Sequence, residues 1–438
     1  MKRLAIGLDG YDSNFSGCTT HFTIFLLKTL KFYEKNFKLL TDPLLVRLNP
    51  NIPFKTRGNA AVSLLIEGEL SEADIEKTIE ELSAIYSFEN KGSAYILDLD
   101  GNRRLEETVK LYLRSLTDLV PQKVAEEVAE EVGGVSIGGK SLVGALAAIG
   151  YALSGLPSTF ELLAYRAPEA EFIRRIDEKR VSEVLLSYRT LFNNVNRKNK
   201  VVAVPRGPDP VLIGIRGIDK GELEDAFRKI LPYIEAPSSW CIFRTNQHTD
   251  PHAVHKKIGE LRVYVSGLIE GYISRDPLVK KGGHVILNIS DESGEIETIF
   301  YRETYPMNVV ASKLKKGDRI RILGGALDAR EREGLIFEAE KLWILSAPEI
   351  KVLKNPRCPR CNARMESAGK GKGYRCPKCG YRTKEALEKE LFLLKRDLPK
   401  NPISPLEGRI RHLVKPPELE GIELPRIELG RGEIFCRF

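Results

Sequence analysis

Glutamine is almost missing from this chain: Gln122 and Gln247 are the only two in 438 residues, and there are 3 methionines and 2 tryptophans. Scarce Gln and Met beside abundant Lys, Arg and Glu is the composition of a protein that works hot. It bears on habitat, not on chemistry. Also lacking is any uncharged apolar run near the ~18–20 residues that a bilayer-spanning helix needs, so no membrane span is expected. No secretory leader is visible, because Met1 is followed by Lys2, Arg3 and a short strand-like run ending at Asp9. Internal repeats and low-complexity tracts are absent as well. The seven cysteines are too uneven for a disulfide framework: four fall within 358–379, and Cys18, Cys241 and Cys436 lie apart. Such a distribution is a metal pattern in an intracellular protein, so the three scattered cysteines read as ordinary thiols and the expected location is the cytoplasm.

What is present is ordinary globular material, 42% hydrophobic and 29% charged, with length for two to four domains. The formal net charge of +8 suits a nucleic-acid partner without establishing one. Residues 3–9 read as a buried strand, 19–35 as a helix, 43–48 and 60–67 as strands, 71–86 as a helix opened by a Ser-x-x-Asp cap, and 94–98 as a strand. A short helix over 123–134 runs into glycines. Beyond it, helices are expected at 142–153, 177–190 and 219–231, with strands at 160–166, 200–204, 211–216 and 239–244, an order that fits a ferredoxin-like α+β sandwich. From 260 to 346 the texture changes to five short alternating strands punctuated by Gly, Asp and Ser. KKGDRIRILGGA is the phrase expected where a basic strand crosses a barrel corner, by analogy an OB-fold. The Pro-, Arg- and Lys-rich tail from 397 is expected to wrap other parts or stay extended.

The sharpest chemical signal is Cys358-x2-Cys361-x14-Cys376-x2-Cys379, two knuckles that close four thiolates around one tetrahedral, structural Zn²⁺. A closed site of this kind folds a short segment and leaves no open position for catalysis. The second signal is IGLDGYDSNFSGCTTHFT over 6–23. There a strand delivers Asp9, and a polar loop carries Asp12, Ser13, Thr19 and Thr20 to a helix start. Carboxylates at a strand end suit Mg²⁺ and helix N-termini suit phosphate, though such loops also serve simply as caps. Lys55, Arg57 and Asn59 share a Pro-flanked loop that reads either as an anion contact or as a solvated basic turn. Arg216 sits between glycines at a strand end. Asn246, His248, Asp250 and His252 form a polar loop in which Asp250 is a better partner for a cation than a metal ligand. His21 lies on an apolar helix and reads as a packed histidine.

Taken in order, GLDGYDS (7–13), CTT (18–20), RLNPNIPFKTRGNAAVS (47–63), LVGALAAIG (142–150), ELLAYRAPE (161–169), NNV (193–195), PVLIGIRG (210–217), TNQHTD (245–250) and CPRCNARMESAGKGKGYRCPKC (358–379) resemble the archaeal tRNA(Ile) 2-agmatinylcytidine synthetase family. The likeness spans nearly the whole chain. It implies an α+β multidomain fold: an ATP-binding kinase-like domain over 1–130, a ferredoxin-like domain over 131–256, an OB-fold over 257–348, a zinc ribbon over 349–385 and a C-terminal extension over 386–438. It also implies ATP-dependent phosphorylation of the C2 oxygen of the wobble cytidine in the isoleucine tRNA with a CAU anticodon. Displacement by agmatine then follows, and the product reads AUA codons. By the same likeness Asp9 and Asp12 would hold Mg²⁺ and the triphosphate with Ser13 and Thr20, and Thr19 would match the threonine that the family autophosphorylates. Lys55, Arg57 and Asn59 would lie near the phosphates. Arg216, Asn246 and Asp250 would lie near the substrates, Asp250 against the agmatine guanidinium on charge grounds. The family opening reads Asp-Asp-Thr-Asp-Ser where this chain has Gly10 and Tyr11. Either Asp9 and Asp12 suffice for the metal, or the phosphoryl chemistry is weakened. The competing reading is a noncatalytic single-strand or RNA binder built on the barrel and zinc ribbon.

Overall fold

The computed structural model describes the chain except residues 13–16, 33–35, 56–57, 87–91, 102–103, 139–140, 168–172, 206–209, 330–332, 386, 395, 431, 433–434 and 438. The N-terminal half follows the expected alternation: β1 (Lys2–Asp9), α1 (Thr19–Phe32), β2 (Phe37–Leu39), β3 (Leu44–Arg47), β4 (Ala60–Gly68), α2 (Glu72–Tyr86) and β5 (Ser93–Asp98). Then come α3 (Glu106–Thr117), α4 (Gln122–Val132), β6 (Val135–Ile137), α5 (Leu142–Leu153), β7 (Thr159–Tyr165), α6 (Glu178–Leu186), β8 (Val211–Gly217), α7 (Lys220–Ile230) and β9 (Ser239–Thr245). Helix α3 escapes the hydrophobic-period reading because its inward face carries Thr108, Ser115 and Thr117, all buried. The strand expected at 200–204 is a loop: Val201 makes a single bridge, to Val195, and Pro205 ends the run.

These strands form one sheet, in the order β6-β5-β1-β4-β3-β9-β7-β8 with β2 beside β4. β1 is buried on both faces, which is why it reads as a continuous apolar run. Leu4, Ile6 and Leu8 pack with Phe22, Leu26 and Ile75 on one side, while Ala5 packs with Leu111 and Leu146 on the other. α5 is apolar all round and lies in that second layer. It approaches so closely that a Cβ on Gly7 would collide with the Ala145 carbonyl, so the position admits no side chain.

The sheet runs without a break across residue 131. Its middle is the one parallel junction among the described residues of this sheet, β3 against β9, with Leu44 opposite Arg244 and Leu45 opposite Thr245. Asp42, 2% exposed, takes Arg244 at 3.1 Å and Lys220 at 2.9 Å and so ties the two halves by charge.

Downstream, β10 (Ser266–Ile273), β11 (Leu278–Val279), β12 (Val285–Ser290), β13 (Glu295–Phe300), α8 (Met307–Lys313), β14 (Arg319–Asp328) and β15 (Leu335–Ser346) follow the expected texture. The order β10-β14-β15-β13-β12 closes through β10–β12, giving a five-stranded barrel with β13 and β15 parallel. Beyond the barrel, β16 (Ile350–Lys354) pairs with β20 (Glu390–Leu394). Between them lie the cysteine knuckles and the short strands β17 (Glu366–Ser367), β18 (Tyr374–Arg375) and β19 (Arg382–Thr383).

The tail wraps, as expected. Ile403 bridges Leu342 on the barrel, Leu413 and Ile427 enter the layer of Ala5, Leu111 and Leu146, and β21 (Cys436–Arg437) pairs with β9. Cys436 faces Cys241 in that register and the two are disulfide-bonded, which corrects their reading as ordinary thiols. Strand pairing over a separation of 195 residues brought them together, and spacing along the sequence carries no trace of that.

Asp42→Ala leaves Arg244 and Lys220 without their buried counter-charge and should cost about 3–5 kcal/mol. A urea midpoint unchanged by the substitution would show that the junction does not depend on this carboxylate.

Candidate active site

The loop leaving β1 turns at Gly10, whose φ of +77° is left-handed, and a Cβ there would press on the Ser141 hydroxyl 2.6 Å away. Tyr11 then drops into the core and stacks on Phe22, rings 3.8 Å apart. The two departures from the family opening are therefore packing residues here, and Asp9 and Asp12 remain the carboxylates of the loop. Asp12 caps α1, accepting from Thr19 N at 2.8 Å, and Tyr11 N donates to Thr19 Oγ1 at 3.3 Å. Burial, together with the charge of Asp12, pushes the Asp9 carboxyl up to about 8. Asp9 and Asp12 are carboxylate oxygen donors of the kind a hard divalent cation takes.

Two cavities flank this loop. The first, about 310 Å³, is lined among the described residues by Asp12, Thr19, Thr20, Arg47, Glu161, Arg216 and His412. The second, about 330 Å³, holds Asp9, Asn59, Asp118 and Ser141. Glu161 stands opposite Arg216 across β7 and β8, its carboxylate 3.2 Å from the guanidinium, and Arg47 approaches within 4.0 Å. The described wall thus sets two guanidiniums, Arg47 and Arg216, against two carboxylates, of which Glu161 is buried. The backbone of Arg216 is held by the Asn194 side chain, which accepts from Arg216 N at 2.9 Å and donates to Arg216 O at 2.8 Å.

Asp12, Thr19, Thr20 and Arg216 meet on one cavity, and Asp9 and Asn59 on the other. Ser13 and Arg57 lie outside the described residues. Lys55 lines neither cavity. It is exposed, its ammonium bonds the Pro50 carbonyl, and burial of the charge and nearby Arg411 lower its pKa. Asn246 and Asp250 are off the walls too. The Asn246 side chain is spent on the backbone of Arg47, accepting from its N–H and donating to its C=O, each at 2.8 Å. Asp250 pairs with Lys341 at 2.7 Å and accepts from the Lys415 backbone. Arg47, Glu161 and His412 line the site without having been singled out. Glu161 carried a signal, a lone acid in the apolar strand TFELLAY, whereas His412 in the Pro-rich tail carried none.

The histidines nearby are packed. His21 stacks on Tyr165 and burial lowers its pKa to about 4. His248 donates from Nδ1 to the Val414 carbonyl, and burial lowers it to about 3. His252, completely buried, meets Glu340 at 3.0 Å rather than a metal.

In the ribbon the four cysteine sulfurs lie within 4.8 Å of one another, Cys358–Cys379 at 3.6 Å and Cys361–Cys376 at 3.4 Å. Tetrahedral Zn–S bonds of about 2.3 Å require sulfurs roughly 3.8 Å apart, so the donor set fits zinc.

Family models match at three places: the TiaS TCKD domain over residues 5–112, the TiaS FLD domain over 139–252 and the TiaS C-terminal zinc ribbon domain over 355–398. The isoleucine-tRNA 2-agmatinylcytidine synthetase TiaS of Thermofilum pendens is 37% identical over 96% of each chain. This chain belongs to the tRNA(Ile) 2-agmatinylcytidine synthetase family. A crystal structure of TiaS in complex with its isoleucine tRNA and ATP superposes with a TM-score of 0.82 at 30% identity, covering 98% of this chain and 100% of that one. A complex of TiaS with the same tRNA, AMPCPP and agmatine gives 0.79 at 28% identity over the same shares. No helix among the described residues of this family member is long and apolar enough to cross a membrane.

Because His21 and His248 titrate below the unfolded value of about 6.5, the unfolded chain binds more protons than the native one between that pH and about 4. Their stabilising share is intact above about pH 6.5 and falls as pH drops, by up to about 1.4 kcal/mol per pH unit for each. Urea midpoints should decline from pH 6.5 to 4.5, the two histidines outweighing the opposite contribution of the single raised carboxyl of Asp9; midpoints that rise across this window would contradict the neutral packing. Separately, Cys361→Ser should release one zinc per chain and melt the ribbon while leaving the core transition within about 1 kcal/mol of its original stability, because each zinc finger folds on its own metal. A core transition lost together with the zinc would contradict this.

Proposed function

We propose that this chain uses ATP to attach agmatine to the wobble cytidine of the isoleucine tRNA with a CAU anticodon, forming 2-agmatinylcytidine in the cytoplasm. The single observation that carries the reading is the first cavity, where Thr19 and Asp12 at a helix start face Arg47 and Arg216 across a space of nucleotide-base dimensions. Relatives crystallised with isoleucine tRNA, ATP and agmatine support the same assignment.

The chemistry follows from the substrate. A carbonyl oxygen leaves poorly until it is phosphorylated, so ATP first activates C2 and the amine then displaces phosphate. The base must leave its stack to enter the cavity. Arg47 and Arg216 meet phosphate oxygens there, with Glu161 as the carboxylate near both. Asp9 and Asp12 would hold Mg²⁺, which when bound neutralises phosphate charge. Ser13, Thr20 and Arg57 are assigned to the phosphate surroundings by their motifs, Asn59 stands on the second cavity with Asp9, Lys55 lies off both cavities, and Thr19 is the site of autophosphorylation. Asn246 and Asp250 act by position: the first fixes Arg47, and the second fixes the tail through Lys341 and Lys415.

In this reading residues 1–130 are the kinase-like part, 131–256 the ferredoxin-like part and 257–348 an OB-fold. The ribbon at 349–385 and the barrel grip tRNA, and 386–438 is the extension.

Incubation with ATP, Mg²⁺, labelled agmatine and tRNA transcript should put label into tRNA only with ATP and a wobble cytidine. Arg216→Ala should lower incorporation by about 100-fold while tRNA binding persists, as expected for loss of a charge contact made in the transition state. Tight tRNA binding with no incorporation by the unaltered chain would favour the noncatalytic RNA-binding reading.

A further inference from the structure

His412 reaches the first cavity as the last link of a three-residue relay. Glu161 accepts a hydrogen bond from Gln247 Nε2, and Gln247 Oε1 lies 2.8 Å from His412 Nδ1. A carboxylate only accepts, so the amide nitrogen of Gln247 must face Glu161 and its oxygen must face His412. An amide oxygen also only accepts, so His412 Nδ1 carries a proton and donates it. In the neutral ring Nε2 is then a bare acceptor. Glu161 and Gln247 are 2% and 1% exposed, whereas His412 forms part of the cavity wall. The backbone fixes this placement: His248 N donates to His412 O at 2.7 Å, and Asp250 N to Leu413 O at 2.9 Å. A chain with only two glutamines buries one of them as the middle link.

Building on the function proposed above, we propose that His412 is a catalytic residue whose Nε2 takes the proton released by the amine as it attacks the activated base, with Glu161 and Gln247 as positioning residues. The neutral amine nitrogen gives its lone pair to C2. The C2–O bond breaks and its electron pair leaves on phosphate, while one proton of the new C–N nitrogen passes to Nε2. That nitrogen is strongly acidic once bonded to the ring, so a weak base suffices. Arg47, then burial, Arg216 and His248 hold His412 well below the usual histidine range. The same two guanidiniums favour the neutral form of a primary amine entering beside them, so nucleophile and base both wait unprotonated.

The test follows amine attached and ATP consumed together in single-turnover reactions of the zinc-loaded full chain with tRNA. His412→Ala should slow attachment by about 100-fold or more and lower the ratio of amine attached to ATP consumed, and added imidazole should restore part of the rate. His412→Gln keeps a donor toward Gln247 but cannot take a proton. It should fail in the same way, which separates loss of the base from misfolding of the alanine variant. Attachment within about threefold of the unaltered chain in both variants would overturn the proposal, since a general base contributes far more than that. Equal losses of attachment and ATP consumption with no response to imidazole would overturn it as well. An unaltered chain that consumes no ATP with tRNA would instead overturn the underlying function.

Discussion

The amide of Asn246 lies against the backbone of Arg47 and exchanges two hydrogen bonds with it, as a further residue of a β-ladder would. It extends the parallel junction of β3 and β9 by one step, to the point where the strands part and the cavity opens. Arg47 comes from one half of the chain, Arg216 and Glu161 from the other, and this junction brings them together. Asp42 adds charge to the same line, and Tyr112 Oη accepts from the Asn246 amide behind it at 3.0 Å. Remove the alignment and the cavity walls become two unrelated surfaces, because Arg47 stands on the β3 side of the junction and Glu161 and Arg216 on the β9 side.

The tail is the second constraint. Arg411 reaches Glu338 and Glu340 on the barrel and Asn51 in the loop after β3, while Lys341, almost wholly buried, is shared by Asp250 and Glu420. Buried ion pairs of this kind contribute little net stability against apolar replacements, but losing one partner is expensive. They act here as a register, holding His412 at one depth in the cavity.

How much of this could be read from the chain depends on the range of the interactions. Helices and strands whose buried faces are purely apolar, such as α5 and β1, were legible because local period alone determines them. α3 was not, since its inward Thr108 and Ser115 look polar in sequence and are satisfied only by carbonyls of the helix itself and the residue before it. The cysteine knuckles announced themselves because their four ligands lie within 22 residues. The site is harder. Asp12, Thr19 and Arg216, which line the first cavity, stand in local motifs, but Asn246 and Asp250 are held by partners 199 and 91 residues away, and Cys241 is paired with Cys436 by a strand contact across the whole second half. Nothing local distinguishes a polar residue that touches a substrate from one that props up its neighbour.

The antiparallel pairing of β16 with β20 sets Ile350 beside Leu394, and Arg396 returns at once to the barrel at Asp318. Entry and exit of the zinc segment are therefore adjacent. Topologically the segment is a closed excursion, so no strand order in the barrel or the great sheet depends on its length or contents. Its shape is free to drift in evolution, at the cost of a loop-closure term that grows only with the logarithm of its length.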